Sequence, residues 1–159
     1  MRVGIGVDAH RFAVERPLVI GGLTLEYELG LAGHSDADVL CHAIGDALLG
    51  AAGLGDLGTW FPSEDKWEGV SSLVLLDEIR SAVAGAGWRV VNVDATVIAE
   101  APKLAPHITD MTTNIARAIG VQPDIVSIKA TTTDGMGFTG RGEGIASLAV
   151  ASLERASDG

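Results

Sequence analysis

A chain of 159 residues, 47% apolar and 20% charged, is long enough to bury a core and too apolar to be disordered; it is read as one domain over residues 1–159. Its 21 acidic residues against 11 basic ones give a formal charge of −10, which argues against a nucleic-acid partner or an anionic membrane surface. No apolar run reaches membrane-spanning length and the single cysteine, Cys41, makes no internal disulfide, so a cytoplasmic location is expected.

The opening stretch, MRVGIGVDAH, has neither signal-peptide nor transit-peptide character. It alternates Val3, Ile5 and Val7 with Arg2, Gly4, Gly6 and Asp8, which predicts a strand. PLVIGGLTLEYE predicts a hairpin turning at Gly21-Gly22. In GHSDADVLCHAIGDALLG, Leu40, Ala43, Ile44, Ala47 and Leu48 recur as one buried helical face, with a cap expected at Ser35 or Asp36 and an end at Gly50 or Gly53. Residues 53–70, rich in Gly, Pro and charge, read as one long loop of the kind that is usually functional.

A helix is expected on SSLVLLDEIRSAVAGAG and a strand on WRVVNVDATVIAE. A proline-broken lead-in and a further helix follow in APKLAPHITDMTTNIARAIG, then a strand in DIVSIKATTT. The tail, GEGIASLAVASLERA, fits a helix by its Ala and Leu content and a strand by its alternation. Strands alternating with helices give an α/β (α+β) class. With 4% aromatics and 21 glycines the core must be built from small aliphatics, and such a chain often completes its burial by oligomerising.

Asp8 and His10, two apart on a strand, share one face. Together with His42 they supply three ligands for a divalent ion such as zinc and leave a fourth position open for substrate. On spacing alone the alternative is that His10 is a surface strand-end histidine and His42 a hydrogen-bonded, partly buried one. The stripe of Asp38, His42 and Asp46 is either a solvated helix face or, if His42 holds a metal, a source of carboxylates for its other ring nitrogen. Cys41 points about 100° away around the helix and reads as a small core residue.

Gly53, Gly55 and Gly58 match G-x-G-x-x-G but follow a helix and open a loop, the reverse of a dinucleotide fingerprint. In KATTTDGMGFTGRGEG, threonine hydroxyls, Asp134 and Arg141 suit phosphate oxygens and their counter-ions, or form a plain glycine-rich turn. Lys103 in EAPKLAP either holds a phosphate or is simply exposed.

Taken in order and at these separations, DAH, HSDADVLCHA, GDLG…FP, APK and TTTDGMGFTGRGEG resemble the 2-C-methyl-D-erythritol 2,4-cyclodiphosphate synthase family over residues 2–155. The resemblance implies a mixed β-sheet with helices on one face, in a homotrimer whose sheets surround a threefold axis and whose active sites lie between subunits; the ambiguous tail then becomes a strand. It implies one Zn²⁺ per subunit on Asp8, His10 and His42, and Mg²⁺ or Mn²⁺ with the substrate diphosphate. It further implies that the 2-phosphate of 4-diphosphocytidyl-2-C-methyl-D-erythritol 2-phosphate attacks the β-phosphorus, expelling CMP.

By the same resemblance His34 and Thr132 are catalytic, positioning the reacting phosphates. Asp8, Ala9, His10 and Ser35 would touch substrate, and Asp56, Leu57 and Gly58 would meet the erythritol with Phe61, Pro62, Ser63, Glu64 and Asp65. Ala99, Glu100, Ala101, Pro102, Lys103, Leu104 and Ala105 would hold the cytidine side from a second subunit. Thr131, Thr132, Thr133, Asp134 and Arg141 would face phosphates or the pocket wall. Phe138 and Arg141 fall in the motif bordering an axial cavity able to hold an isoprenoid diphosphate.

Two departures stand out: Asp134-Gly135 occupies the place of the family's usual Glu-Lys, and the segment 61–69 is about a residue short. A metal-dependent phosphohydrolase releasing inorganic phosphate, and a non-catalytic trimer with a structural metal, are the competing readings.

Overall fold

A computed structural model describes residues 1–156. Its centre is a five-stranded sheet in the order β4-β1-β7-β5-β6, formed by β1 (Arg2–Ala13), β4 (Gly30–Leu31), β5 (Trp88–Ile98), β6 (Val126–Thr131) and β7 (Gly144–Arg155). Only β5 and β6 run parallel; the other neighbours are antiparallel. A separate hairpin, β2 (Leu18–Ile20) and β3 (Leu23–Leu25), turns at Gly21 and Gly22 with φ of 60° and 68°, as its Gly-Gly signal predicts. The expected mixed α/β class is what the chain adopts.

The ambiguous tail is β7, pairing with β1 along one edge and β5 along the other. Alanine suits helix and strand alike, so its local sequence decides little; backbone pairing on both sides settles it.

The helices are α1 (Val39–Ala52), α2 (Leu57–Trp60), α3 (Ser72–Gly85), α4 (Ile108–Ala118) and α5 (Gly137–Gly140). The expected loop 53–70 therefore contains α2 and a 3-10 turn at Asp65–Trp67. Asp56 caps α2 by accepting from the Thr59 amide at 2.8 Å, a local signal hidden among glycines. α1 begins at neither expected cap. Asp38 is its N-cap, and its carboxylate accepts from Cys41 N at 3.0 Å, Gly21 N at 3.0 Å and Gly22 N at 2.7 Å. One residue thus starts the helix and pins the hairpin turn to it. Burial pushes the Asp38 carboxyl up, opposed by those three amide donors. The helix ends at Gly53, in the left-handed conformation at φ 75°, as expected.

β1 packs against α1 in an unusual sense. Its period-two apolar residues face outward: Val3, Ile5 and Val7 are 62%, 69% and 59% exposed. Its glycines face the helix. A Cβ on Gly4 would stand 2.1 Å from the Ala47 carbonyl oxygen, and one on Gly6 1.8 Å from that of Ala43. Ala149 and Ala151 of β7, paired with Gly6 and Gly4, continue this small-residue floor. At Gly4 and Gly6 the strand and helix backbones approach too closely for any side chain to stand between them. On the outer face Leu148 and Val150 extend the apolar strip from β1 to β7. The strip then gives way to polar residues, with Lys129 paired to Asp94 at 2.5 Å. Among the described residues no helix is long and apolar enough to cross a membrane.

Candidate active site

The close approach of β1 to α1 brings residues 8–10 to residue 42. Asp8 Oδ2 lies 2.8 Å from His10 Nε2 and 3.0 Å from His42 Nδ1, and the two ring nitrogens are 3.2 Å apart. All three ligand atoms fall within 4.8 Å of one another, at half-buried positions. Burial acts to raise the Asp8 carboxyl, but hydrogen bonds and charge from His10 and His42 outweigh it and hold the group well below the ordinary carboxylate range. Burial likewise lowers His10, and the hydrogen bond and charge of Asp8 outweigh that and raise it. A carboxylate oxygen and two imidazole nitrogens converging on one point form a donor set suited to zinc, with room for a fourth ligand from outside the chain.

The far sides of both rings are held. His10 Nδ1 lies 2.6 Å from the Ala32 carbonyl, and His42 Nε2 lies 3.1 Å from Ser35 Oγ and 3.0 Å from Ser72 Oγ. The carboxylates one turn away on α1 do not serve His42. Asp38 is the buried cap, and Asp46 accepts from the Leu57 amide at 2.7 Å, fixing the start of α2. Neither the solvated-face reading nor the carboxylate-partner reading of that stripe survives. Ser72, thirty residues along the chain, escaped sequence reasoning because a serine at a helix start signals a cap and nothing else.

A cavity of about 230 Å³ opens on this cluster. His10, His42, His34, Ser35, Leu57, Gly58, Phe61 and Ser63 line it, as do Trp67 and Leu75, which sequence reasoning missed. His34 Nε2 lies 2.7 Å from the Glu64 carbonyl, tying the segment before α1 to the one after α2. Phe61 packs edge-on to Trp67 with centroids 4.9 Å apart. Asp56, Pro62, Glu64 and Asp65 stand beside this cavity's segments in sequence without lining it.

A second cavity of about 230 Å³ is lined by Ala99, Glu100, Pro102, Lys103, Leu104 and Ala105 together with Ala130, Thr131 and Thr132. It shares no lining residue with the first: His34 lines one cavity and Thr132 the other. Ala101 precedes Pro102 through a cis peptide bond. Glu100 Oε1 accepts from the amides of Thr133 at 3.0 Å and Gly135 at 3.3 Å, and Thr132 Oγ1 donates to Asp134 Oδ1 at 3.3 Å. Glu100 thus shapes the threonine turn from beneath. Ala9 and Phe138 line a third cavity of about 540 Å³ with His10, Arg11, Phe12 and Glu143. Arg141 lines none of these cavities, and its guanidinium is paired to Glu143 at 2.8 Å.

Residues 1–154 match the YgbB family. The chain belongs to the YgbB family. Among curated proteins it is similar to a 2-C-methyl-D-erythritol 2,4-cyclodiphosphate synthase of Desulforamulus reducens, 58% identical over 98% of this chain and 99% of that protein. It is also 59% identical to part of a bifunctional IspD/IspF enzyme of Anaeromyxobacter, covering 96% of this chain and 40% of that one. Among solved structures, an IspF of Plasmodium falciparum in complex with CDP superposes with a TM-score of 0.86 at 30% identity, over 98% of this chain and 97% of that one. The bifunctional IspDF of Campylobacter jejuni gives a TM-score of 0.93 at 40% identity, over 97% of this chain and 42% of that one. The matched residues take in the helix that carries His42 and all five strands of the sheet but for the last residue of β7.

Proposed function

We propose that this chain converts 4-diphosphocytidyl-2-C-methyl-D-erythritol 2-phosphate to 2-C-methyl-D-erythritol 2,4-cyclodiphosphate and CMP, as a single catalytic domain over residues 1–159. The observation that carries this reading is the convergence of Asp8 Oδ2, His10 Nε2 and His42 Nδ1, with both histidines lining a cavity that His34 and Ser35 share. The CDP-bound relative and the names of the close homologues supply the substrate class. An oxygen of the 2-phosphate forms a bond to the β-phosphorus as the bond from that phosphorus to the bridging oxygen breaks, and CMP departs with that oxygen.

Asp8, His10 and His42 would hold Zn²⁺, which with Mg²⁺ or Mn²⁺ on the diphosphate supplies Lewis-acid neutralisation of the charge that opposes one anion's attack on another. The chain's own residues supply the rest. Binding the erythritol segment against Leu57, Gly58 and Phe61 folds the substrate back so that attack is intramolecular. His34 and Thr132 aim donors at the phosphate oxygens where charge builds. Ala99 to Ala105 and the threonine turn hold the cytidine diphosphate side, with Lys103 as its cation.

Because these groups line two separate cavities of one chain, the reading requires neighbouring subunits to bring them together. The outward strip of Val3, Ile5, Val7, Leu148 and Val150 suits the inner wall of a homotrimer around a threefold axis. The third cavity, at Phe138, would then open toward that axis and could take an isoprenoid diphosphate there. The buried, unpaired Cys41 fits a reducing cytoplasm.

The deciding assay supplies the diphosphocytidyl substrate with Zn²⁺ and Mg²⁺, follows products by mass spectrometry, and repeats the reaction with a chelator. CMP plus the cyclic diphosphate, both lost on chelation, is the expected outcome. CMP with only open-chain phosphates would move the assignment to a hydrolase. The assembly is tested by Ile5→Asp, which places a carboxylate in the apolar strip. The expected result is dissociation by light scattering and at least about tenfold lower activity, since an unpaired buried charge is strongly disfavoured; a fully active variant of unchanged mass would overturn the place of this strip at the interface, and a wild-type mass other than three chains would rule out the trimer.

A further inference from the structure

Ser72 is the first residue of α3 and is wholly buried. Its hydroxyl touches two groups, donating to Asp36 Oδ1 and lying 3.0 Å from His42 Nε2. Asp36 is itself fixed as an acceptor on both oxygens, taking the Ser72 amide on Oδ2 at 2.9 Å and the Asp38 amide on Oδ1 at 3.2 Å. A serine has one hydroxyl hydrogen, and here it is committed to Asp36. What Ser72 offers His42 is therefore a lone pair, and Nε2 must supply the hydrogen. Ser35 Oγ, on the same side of the ring at 3.1 Å, is in turn approached by the Ala37 amide at 3.3 Å.

We propose that Ser72, oriented by Asp36, is a positioning residue for His42: it holds the hydrogen on Nε2, so that with the metal bound the Nδ1 lone pair is free to ligate the ion that Asp8 Oδ2 and His10 Nε2 also face. The inference rests on the metal-site reading above and adds two residues to it. Outer partners of this kind fix the tautomer and rotation of a ligating imidazole, and removing one weakens metal binding by about 10–100-fold. Asp36 also ties the segment bearing His34 and Ser35 to the start of α3, through its own amide to Val70 O at 3.0 Å and its carboxylate to Ser72. The same pair thereby sets the ring and anchors the segment beside it.

The test is a competition titration of Zn²⁺ against a chromogenic chelator for the wild type, Ser72→Ala and Asp36→Asn, with circular dichroism to confirm folding. Wild-type protein should take up one Zn²⁺ per chain; failure to do so would overturn the metal-site reading itself. With uptake established, Ser72→Ala is expected to weaken zinc about 10–100-fold, and Asp36→Asn to weaken it in the same direction. A folded Ser72→Ala variant that binds zinc within twofold of wild type would overturn the role of Ser72. Should that variant fail to fold, the zinc-loaded wild type decides by ¹H–¹⁵N NMR. A His42 Nε2 hydrogen protected from exchange supports the assignment, and a rapidly exchanging one overturns it.

Discussion

Replacing His42 by alanine is expected to lower CMP release by about 10³-fold or more while the fold persists. The imidazole contributes one of three converging donor atoms, and its loss leaves Asp8 and His10 as a two-ligand site too weak to retain the ion. The helix itself loses little. Leu40, Ala43, Ile44, Ala47 and Leu48 form its buried face, and the capping contacts of Asp38 are untouched. The measurements are steady-state CMP release, bound zinc by elemental analysis, and mass by light scattering. Retained turnover would sink the catalytic assignment. Loss of assembly together with zinc would point to a metal whose purpose is structural.

The second large effect belongs to a residue without a side chain. Gly6→Ala is expected to cost about 3 kcal/mol or more of stability and to lower zinc affinity at the same time. The new methyl would meet the carbonyl oxygen of Ala43 at 1.8 Å and the amide nitrogen of Ala47 at 2.8 Å, backbone atoms that cannot swing aside. Relief requires α1 to move away from β1, and that same approach places His42 against Asp8 and His10. Urea denaturation followed by zinc titration tests both consequences; a variant within about 0.5 kcal/mol of wild type would show that the contact relaxes without cost.

Much of this was legible in the chain. The 3.6-residue pattern of α1, the Gly-Gly hairpin turn and the long alternating β5 follow from local chemistry, and they appear where the periodicities put them. Asp8, His10 and His42 could be named as ligand types, but spacing gave no reason for residues 8–10 to meet residue 42. The reason is the glycine face of β1, and the outward strip of Val3, Ile5 and Val7 would ordinarily be read as the buried side. The places of Asp38 and Asp46 are not legible in the sequence, because a carboxylate in a helical stripe looks the same whether it faces water, a histidine or a distant amide. α2 was hidden because four residues of helix give no periodicity. Ser72 lay beyond sequence reasoning, since its partner is thirty residues away and its own position reads as an ordinary helix start.

The separation of the two cavities has a genetic consequence in the proposed trimer. Each chain would contribute a metal half to one reaction centre and a nucleotide half to the next, so no centre would belong to a single polypeptide. A copy faulty in one half would damage one centre, and a copy that failed to fold would damage two. Conversely, alleles broken in different halves could rescue one another when co-expressed, because some mixed assemblies would join the sound metal half of one product to the sound nucleotide half of the other. In that sense the unit of inheritance and the unit of catalysis would be different objects.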